Sequence, residues 1–327
     1  MNKDIAFLAE YAEGQPARSA LELAAGAAEL AHAAGGAAVA LAYGPGARDG
    51  AAGLGAAGAA RAVVLGDEQA PAITVAAGAA AAVKELQPVA VLAPASPNGR
   101  DLAAALVGLL ELPAFGPVRA VRMEDGRLRT EQATLQGTVI TVSEPAEAAP
   151  QPAVVLVLPN TFTPTEGGSG TAEVSDAPDA EAGPFAKVQV AESHPEEAAV
   201  ANLEEATVII AGGRGVGSES GFAPLHDLAA ALGGAVGASR AAADAGWVPF
   251  QLQIGQTGKV VKPALYMGIG ISGAIQHRVG MQTAENVVAI NKDPDAPIGE
   301  FADLFVVGDL FAIVPKLTDE IKRRKGR

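Results

Sequence analysis

The stretch YMGIGISGAIQH, residues 266–277, spaces Gly268, Gly270 and Gly273 as GxGxxG and ends on His277, one of four histidines in the chain. Glycines between a strand and a helix let the backbone approach a pyrophosphate closely, and Ser272 adds a hydroxyl beside helix N-terminal amides. Asp293 lies about twenty residues beyond Gly273, near the end of the apolar run NVVAINKD, where a dinucleotide site of nicotinamide type places an acid on the ribose. A nicotinamide site, a flavin site and a tight strand-to-helix turn all share this pattern. In a chain with 39 glycines the spacing does not separate them.

Three further segments carry polar groups in chemically useful patterns. VIIAGGRGVGS is a strand followed by a glycine turn with Arg214 at its centre, suited to presenting amides and a guanidinium to a phosphate or carbonyl, or equally a βα turn with a surface arginine. GASRAAADAGW sets Ser239 and Arg240 beside an apolar helical run, with Trp247 read as packing. QIGQTGKVV fails as a P-loop, because Gln253 stands where the first glycine belongs and Val260 follows Lys259 in place of Ser or Thr. Its Gln253, Gln256 and Thr257 are neutral hydrogen-bonding groups that match an uncharged heterocycle such as an isoalloxazine edge better than a triphosphate. His32, His194 and His226 have no metal-binding spacing and read as structural or exposed. No nucleophile, base and orienting group assemble from neighbouring motifs, so no catalytic residue and no metal site is expected.

Composition narrows the classes. With 23 basic and 37 acidic residues the net charge is −14, a field that repels phosphate backbones and argues against a nucleic-acid partner. The chain has no cysteine, which excludes disulfides, thiolate nucleophiles and iron–sulfur clusters, so any redox role requires a bound cofactor. The terminal IKRRKGR reads as the dipole-matched end of a last helix. The N-terminal MNKDIAFLAEYAEGQ lacks signal-peptide character, which points to the cytoplasm, and the alanine-rich residues 30–47 are broken by Gly35, Gly36 and Pro45 and do not read as a membrane span.

The elements that position these motifs follow from periodicity. IAFLAEY, AAVALAYG, RAVVLGD and VAVLAPAS read as strands apolar on both faces, separated by the helical runs ARSALELAAGAAELAHAAG, APAITVAAGAAAAVKELQ and NGRDLAAALVGLLEL, the last with Asn98 as N-cap. This is a parallel sheet covered by helices. From about residue 117, RAVRMEDGRLRTEQAT, GTVITVSE and AVVLVLPN read as antiparallel strands added to that sheet. Residues 163–184, rich in Gly, Pro, Ser and acids, read as a loop or linker. A second α/β segment begins at ATVIIAGGRGVGSES. The expected fold class is α/β with two Rossmann-like domains, residues 1–195 and 196–327.

Taken in order, GGRGVGS, GASRAAADAGWVP, QIGQTGKVVKPALYMGIGISGAIQH, VAINKDPDAPI and ADLFVVGDL strongly resemble the alpha subunit of electron transfer flavoprotein, over nearly all of residues 205–316. SPNGRDLAAAL and VVLVLPNTF resemble the same family more loosely, with Leu158 where the family has an arginine, so no role is carried into the first domain. The resemblance implies FAD in the second domain. It places Arg214, Ser239 and Arg240 around the flavin and its phosphates. Thr257 lies with Ile254, Gly255 and Gln256 along the ring, its hydroxyl near N5. Ser272, Gly273, Ala274, Ile275 and Gln276 contact the pyrophosphate, with His277 near the pyrimidine carbonyl O2, where a donor favours added negative charge on the ring. Asn291, Asp309 and Leu310 hold the adenosine end, and the GxGxxG match is then incidental. Arg278, Val279 and Gly299 depart from the family pattern, and Arg278 could shift the flavin potential.

The family further implies an electron carrier without a substrate-converting site. Its partner is a beta subunit holding AMP or a second FAD. Its donors are flavin dehydrogenases such as acyl-CoA dehydrogenases of fatty acid beta-oxidation, and its acceptor is a quinone oxidoreductase. A bifurcating form fed by NADH through the partner is the close alternative. An NAD-dependent dehydrogenase and a non-redox adenine-nucleotide module built on the first domain are the more distant ones.

Overall fold

The computed structural model describes residues 2–135, 139–165, 167–181, 183–188, 190–192 and 203–326. The chain forms two compact units, one of Met1–Ala133 and Ile140–His194, the other of Thr134–Val139 and Pro195–Arg327. His194 lies outside the described residues.

The first unit runs β1 (Ile5–Ala12), β2 (Gln15–Pro16), α1 (Arg18–Ala34), β3 (Ala38–Tyr43), α2 (Ala47–Gly50), β4 (Arg61–Gly66), α3 (Ala76–Leu86), β5 (Ala90–Pro94), α4 (Pro97–Leu110) and β6 (Ala114–Val118). β7 (Ala120–Glu124), β8 (Arg127–Thr134), β9 (Val139–Ser143), β10 (Ala153–Val157) and β11 (Glu173–Asp176) follow. The main sheet has the order β11-β4-β3-β1-β5-β10-β6, with the two-residue β2 pairing antiparallel to the C-terminal end of the central β1. Strand period decides the layers. Ile5, Phe7 and Ala9 of β1 pack with Leu23, Ala27 and Leu30 of α1 on one face. Ala6 and Leu8 meet Ala79, Val83, Leu102 and Leu106 of α3 and α4 on the other. α1 stops at Gly35, whose φ of 78° lets its amide reach back to the Ala31 and His32 carbonyls.

Four expectations are corrected here. β7 and β8 do not extend the main sheet; they pair antiparallel and, with β9, make a separate three-stranded sheet. Asp125 and Gly126, at φ 51° and 75°, form the two-residue turn that an Asp-Gly pair favours. AVVLVLPN is no antiparallel addition either, since β10 lies inside the main sheet, parallel to β5 and β6, as its burial on both faces demands. Residues 163–184 are not all loop: Glu173–Asp176 is an exposed edge strand parallel to β4. The N-cap of α4 is Ser96, whose Oγ accepts from the Gly99 amide, because Pro97 takes the first helical position and moves Asn98 inside the turn.

The second unit is built of β12 (Val208–Gly212), α5 (Ala223–Leu232), β13 (Ala235–Ala238), α6 (Arg240–Asp244), β14 (Leu265–Ile269), α7 (Ile275–Met281), β15 (Asn286–Asn291), β16 (Leu304–Val307) and α8 (Leu310–Arg324). Its sheet is wholly parallel in the order β13-β12-β14-β15-β16. From β12 the chain crosses to one side for β13 and returns to the other for β14. The loops leaving β12 and β14 therefore diverge and open a crevice at their carboxyl ends. α8 ends on Lys322, Arg323 and Arg324, the basic last turn that its dipole favours. The fold class is α/β, with two Rossmann-like units. Among the described residues no helix is long and apolar enough to cross a membrane, and no cluster of His, Cys, Asp and Glu could hold a metal ion.

Candidate functional site

Backbone contacts fix the crevice before any side chain enters it. The Gly213 amide donates to the Ile269 carbonyl at 2.9 Å and the Gly215 amide to the Gly270 carbonyl at 3.0 Å, which ties the loop after β12 to the loop after β14. A Cβ on Gly213 would stand 2.2 Å from the Gly270 oxygen, so glycine is required for this approach. Gly273, at φ +87°, lies against Ile298, where a Cβ would come within 2.4 Å of the Ile298 nitrogen. Gly270 and Gly273 of the GxGxxG stretch thus take part in chain-to-chain packing.

The third wall is the loop at residues 253–259. The Ile254 amide donates to the Ala238 carbonyl at 2.9 Å, the Lys259 amide to Gln253 at 2.8 Å, and the Gln256 amide to the Gln276 carbonyl at 2.8 Å. Together these join the end of β13 to the start of α7 without any strand–loop–helix of P-loop form. The half-open cavity between these loops has a volume of about 550 Å³, well within the usual span for ligand sites.

Around this cavity stand Arg214, Ser239 and Arg240 on one side, Ile254, Gly255, Gln256 and Thr257 on the second, and Ser272, Ala274, Gln276 and His277 on the third. Gly273, Ile275, Asn291, Asp309 and Leu310 are not among its lining residues. Gly273 is packed under Ile298 and Ile275 is 54% exposed. The Asn291 Nδ2 donates to the Ile271 carbonyl at 2.9 Å, holding the loop after β14, and Asp309 caps α8 by accepting from the Phe311 amide at 3.0 Å. Leu310 belongs to the core. Asp293, the acid of the nicotinamide reading, is exposed and accepts from the Asp295 amide at 3.0 Å in its own loop.

Gln253, Asp244, Ala241 and Ile271 complete the lining. Asp244 is an ion-pair partner of Arg240, at 3.3 Å one helical turn away, a spacing the sequence displays but that reads as an ordinary surface pair. Gln253 is buried and its Nε2 donates to the Thr257 Oγ1 at 3.0 Å, while its Oε1 is buried without a partner. That donation occupies a lone pair of Thr257 and leaves its own hydroxyl proton to be given elsewhere. His277 is also buried. Desolvation pushes its pKa down to about 4, only partly offset by the backbone of Ile254, and the ring is neutral at neutral pH. Its Nε2 is 2.6 Å from the Tyr266 hydroxyl, and its Nδ1 is buried, with the Ile254 backbone facing the ring.

These residues suit a flavin dinucleotide by their chemistry. Arg214 and Arg240 supply charge-assisted donors for phosphate, and Ser239 and Ser272 supply hydroxyls. The Gln256, Thr257 and Gln276 side chains provide the neutral polar edge that a heterocycle needs. The Gln253 Oε1, on a residue of the wall, is a buried polar atom left without a partner by the protein itself.

A doubly wound parallel unit with such a crevice beyond its carboxyl edge is a Rossmann-like cofactor-binding architecture. The chain belongs to the electron transfer flavoprotein family, as a member of its alpha-subunit type. A family model described as the electron transfer flavoprotein domain matches residues 5–182, and one described as the electron transfer flavoprotein FAD-binding domain matches residues 202–282. The chain is 39% identical over 234 residues to electron transfer flavoprotein subunit alpha of Paracoccus denitrificans, covering 71% of this chain and 72% of that one. It is 40% identical over 242 residues to a probable mitochondrial counterpart of Caenorhabditis elegans, covering 73% and 69%. A shorter stretch of 125 residues is 63% identical to electron transfer flavoprotein subunit alpha of Mycobacterium leprae; there the match spans 38% of this chain and 39% of that relative.

Proposed function

We propose that this chain is the FAD-binding alpha subunit of a heterodimeric electron transfer flavoprotein. It works as a carrier and has no substrate-converting site of its own. Bound FAD supplies the redox chemistry; the chain supplies binding, orientation and electrostatics. Arg214 and Arg240, with Ser239 and Ser272, hold the phosphates and the ring's outer edge. Gln256 and Thr257 line the ring, and His277 sits at its pyrimidine end. Gly273, Ile275, Asn291, Asp309 and Leu310 shape the loops on which the remainder of the dinucleotide rests. The single observation behind this reading is the cavity that gathers Arg214, Arg240, Thr257 and His277, residues far apart in sequence, at the carboxyl edge of one parallel sheet.

The partner in this reading is a beta subunit that holds AMP or, in a bifurcating form, a second FAD fed by NADH. Flavin dehydrogenases, the acyl-CoA dehydrogenases of fatty acid beta-oxidation among them, donate electrons in the cytoplasm, and a membrane quinone oxidoreductase accepts them. Co-expression with the beta subunit, followed by an absorbance spectrum of the gel-filtered complex, tests this. Flavin bands are expected, and FAD per heterodimer separates the one-flavin from the two-flavin form. A folded, colourless complex that takes up no added FAD overturns the proposal.

A further inference from the structure

Tyr266, the second residue of β14, is fully buried and among the largest such side chains of the described residues. A phenol in that setting needs a hydrogen-bond partner. Its hydroxyl stands 2.6 Å from the His277 Nε2, the two rings tilted by 55° with centroids 6.1 Å apart. Burial raises the proton affinity of the phenol and lowers that of the imidazole, so both groups are neutral and one hydrogen lies between them.

Two arrangements are possible. Either the phenol donates to Nε2 and the ring proton is on Nδ1, or the ring donates from Nε2 and the phenol proton is left over. The second strands a hydroxyl proton in the core, since among the described residues His277 is the only hydrogen-bond partner of the Tyr266 hydroxyl, and a buried unmatched donor is costly. The first leaves the ring proton on the side of Ile254. The Ile254 amide is already committed to the Ala238 carbonyl, and its backbone favours a protonated ring, which identifies the carbonyl as the group facing the imidazole.

We infer that Tyr266 is a positioning residue whose hydroxyl donates to His277 Nε2 and thereby fixes the ring proton on Nδ1, facing the Ile254 carbonyl, so that this residue of the cavity wall is held as one tautomer in one ring orientation. Ile254 and His277 both line the cavity, so the imidazole that Tyr266 orients belongs to its wall. That the ligand is a flavin rests on the reading proposed above; the tautomer does not. The role assigned to Tyr266 differs from a core-filling one in a measurable way, because phenylalanine fills the same space without the hydroxyl.

The test is nitrogen-15 NMR of histidine-labelled full-length chain in its complex, with the His277 signal identified by its loss in His277→Gln. Wild type is expected to show the Nδ1–H tautomer in excess and no ring protonation above pH 5. Tyr266→Phe is expected to shift the ratio toward Nε2–H by about tenfold, the worth of one net hydrogen bond, while the amide spectrum reports an intact fold. A dominant Nε2–H form in wild type, or an unchanged ratio in Tyr266→Phe, overturns the assignment. Should Tyr266→Phe fail to fold, the wild-type tautomer still decides. An Nδ1–H tautomer in a complex that takes up no FAD supports the Tyr266 assignment while defeating the flavin reading.

Discussion

Each unit opens a cavity beyond the carboxyl ends of its parallel strands, and the two differ in charge more than in shape. The cavity of the first unit is the larger, about 730 Å³ against about 550 Å³. Among the described residues it is lined by Glu10, Glu13, Gln69 and Asn98, with no lysine or arginine, and by the buried Tyr11 and Tyr43. Burial holds the Tyr11 hydroxyl up at about 12, and burial beside Glu10 raises that of Tyr43 further. The second cavity sets Arg214 and Arg240 against the single acid Asp244. One architecture therefore yields an acidic cavity and a cationic one. Position in the fold says where a ligand could sit, and the side chains say which ligand: the cationic lining of the smaller cavity is what supports the proposal of a phosphate-bearing cofactor there.

The turns at the two sites provide the strongest way to break this comparison. Gly14, beside the first cavity's Glu13, has φ +78° but open space around a Cβ, whereas Gly273 has φ +87° and backbone in the way. Gly14→Ala is expected to cost about 1 kcal/mol, from the left-handed backbone alone. Gly273→Ala adds overpacking and should cost about 3 kcal/mol or more. Urea unfolding of both variants checks this, and equal losses would mean that the second turn is not clamped as described.

Next is acid sensitivity. His277 has a folded-state pKa of about 4 against 6.5 for the unfolded chain, so the unfolded state takes up a proton first. The penalty is absent above pH 6.5 and grows as pH falls toward 4, reaching about 3 kcal/mol. His277→Gln should flatten this part of the stability profile. A profile of unchanged slope between pH 6.5 and 4 would show that His277 is not held neutral.

Cofactor affinity follows in size. Arg214→Ala should weaken FAD binding by about ten- to a hundredfold, the worth of a charge-assisted hydrogen bond. Glu10→Gln, in the acidic cavity, should change it by less than about twofold. Fluorescence titration of the apo-complex with FAD reads both, and a larger effect from Glu10→Gln would reverse the assignment of the two cavities.

These differences were unevenly legible in the sequence. The buried strands and α1 announce themselves because both periods, two and 3.6, are carried by apolar residues such as Phe7, Leu8, Leu23 and Leu30. β11 does not, since EVSD is an edge strand whose order comes from its pairing with β4 and not from its own pattern. Alternation in RAVRMEDGRLRT shows that one face is covered, yet it is silent on which sheet the strands join. At the site, Arg214, Ser239, Thr257 and His277 were reached through family resemblance, whereas Tyr266 reads as one more aromatic in an apolar strand. Its partnership with His277 exists only once β14 and α7 are folded against each other.

Arg278 gives the smallest expected effect and the finest test of the boundary between site and scaffold. It follows His277 directly, so from the sequence its charge could act on the flavin. The guanidinium instead lies over the Phe301 ring, 4.8 Å from its centroid, and Arg278 is not among the residues that line the cavity. A cation held over an aromatic face at a partly exposed position contributes about 0.5–1 kcal/mol. Arg278→Ala should therefore lower the unfolding free energy by that amount and leave both FAD affinity and the flavin reduction midpoint unchanged. Arg278→Lys should recover part of the stability, because an ammonium also binds the ring face but lacks guanidinium stacking. If the midpoint moves while the unfolding free energy does not, the charge belongs to the flavin's field, and the cationic character of the second cavity extends past the residues that line it.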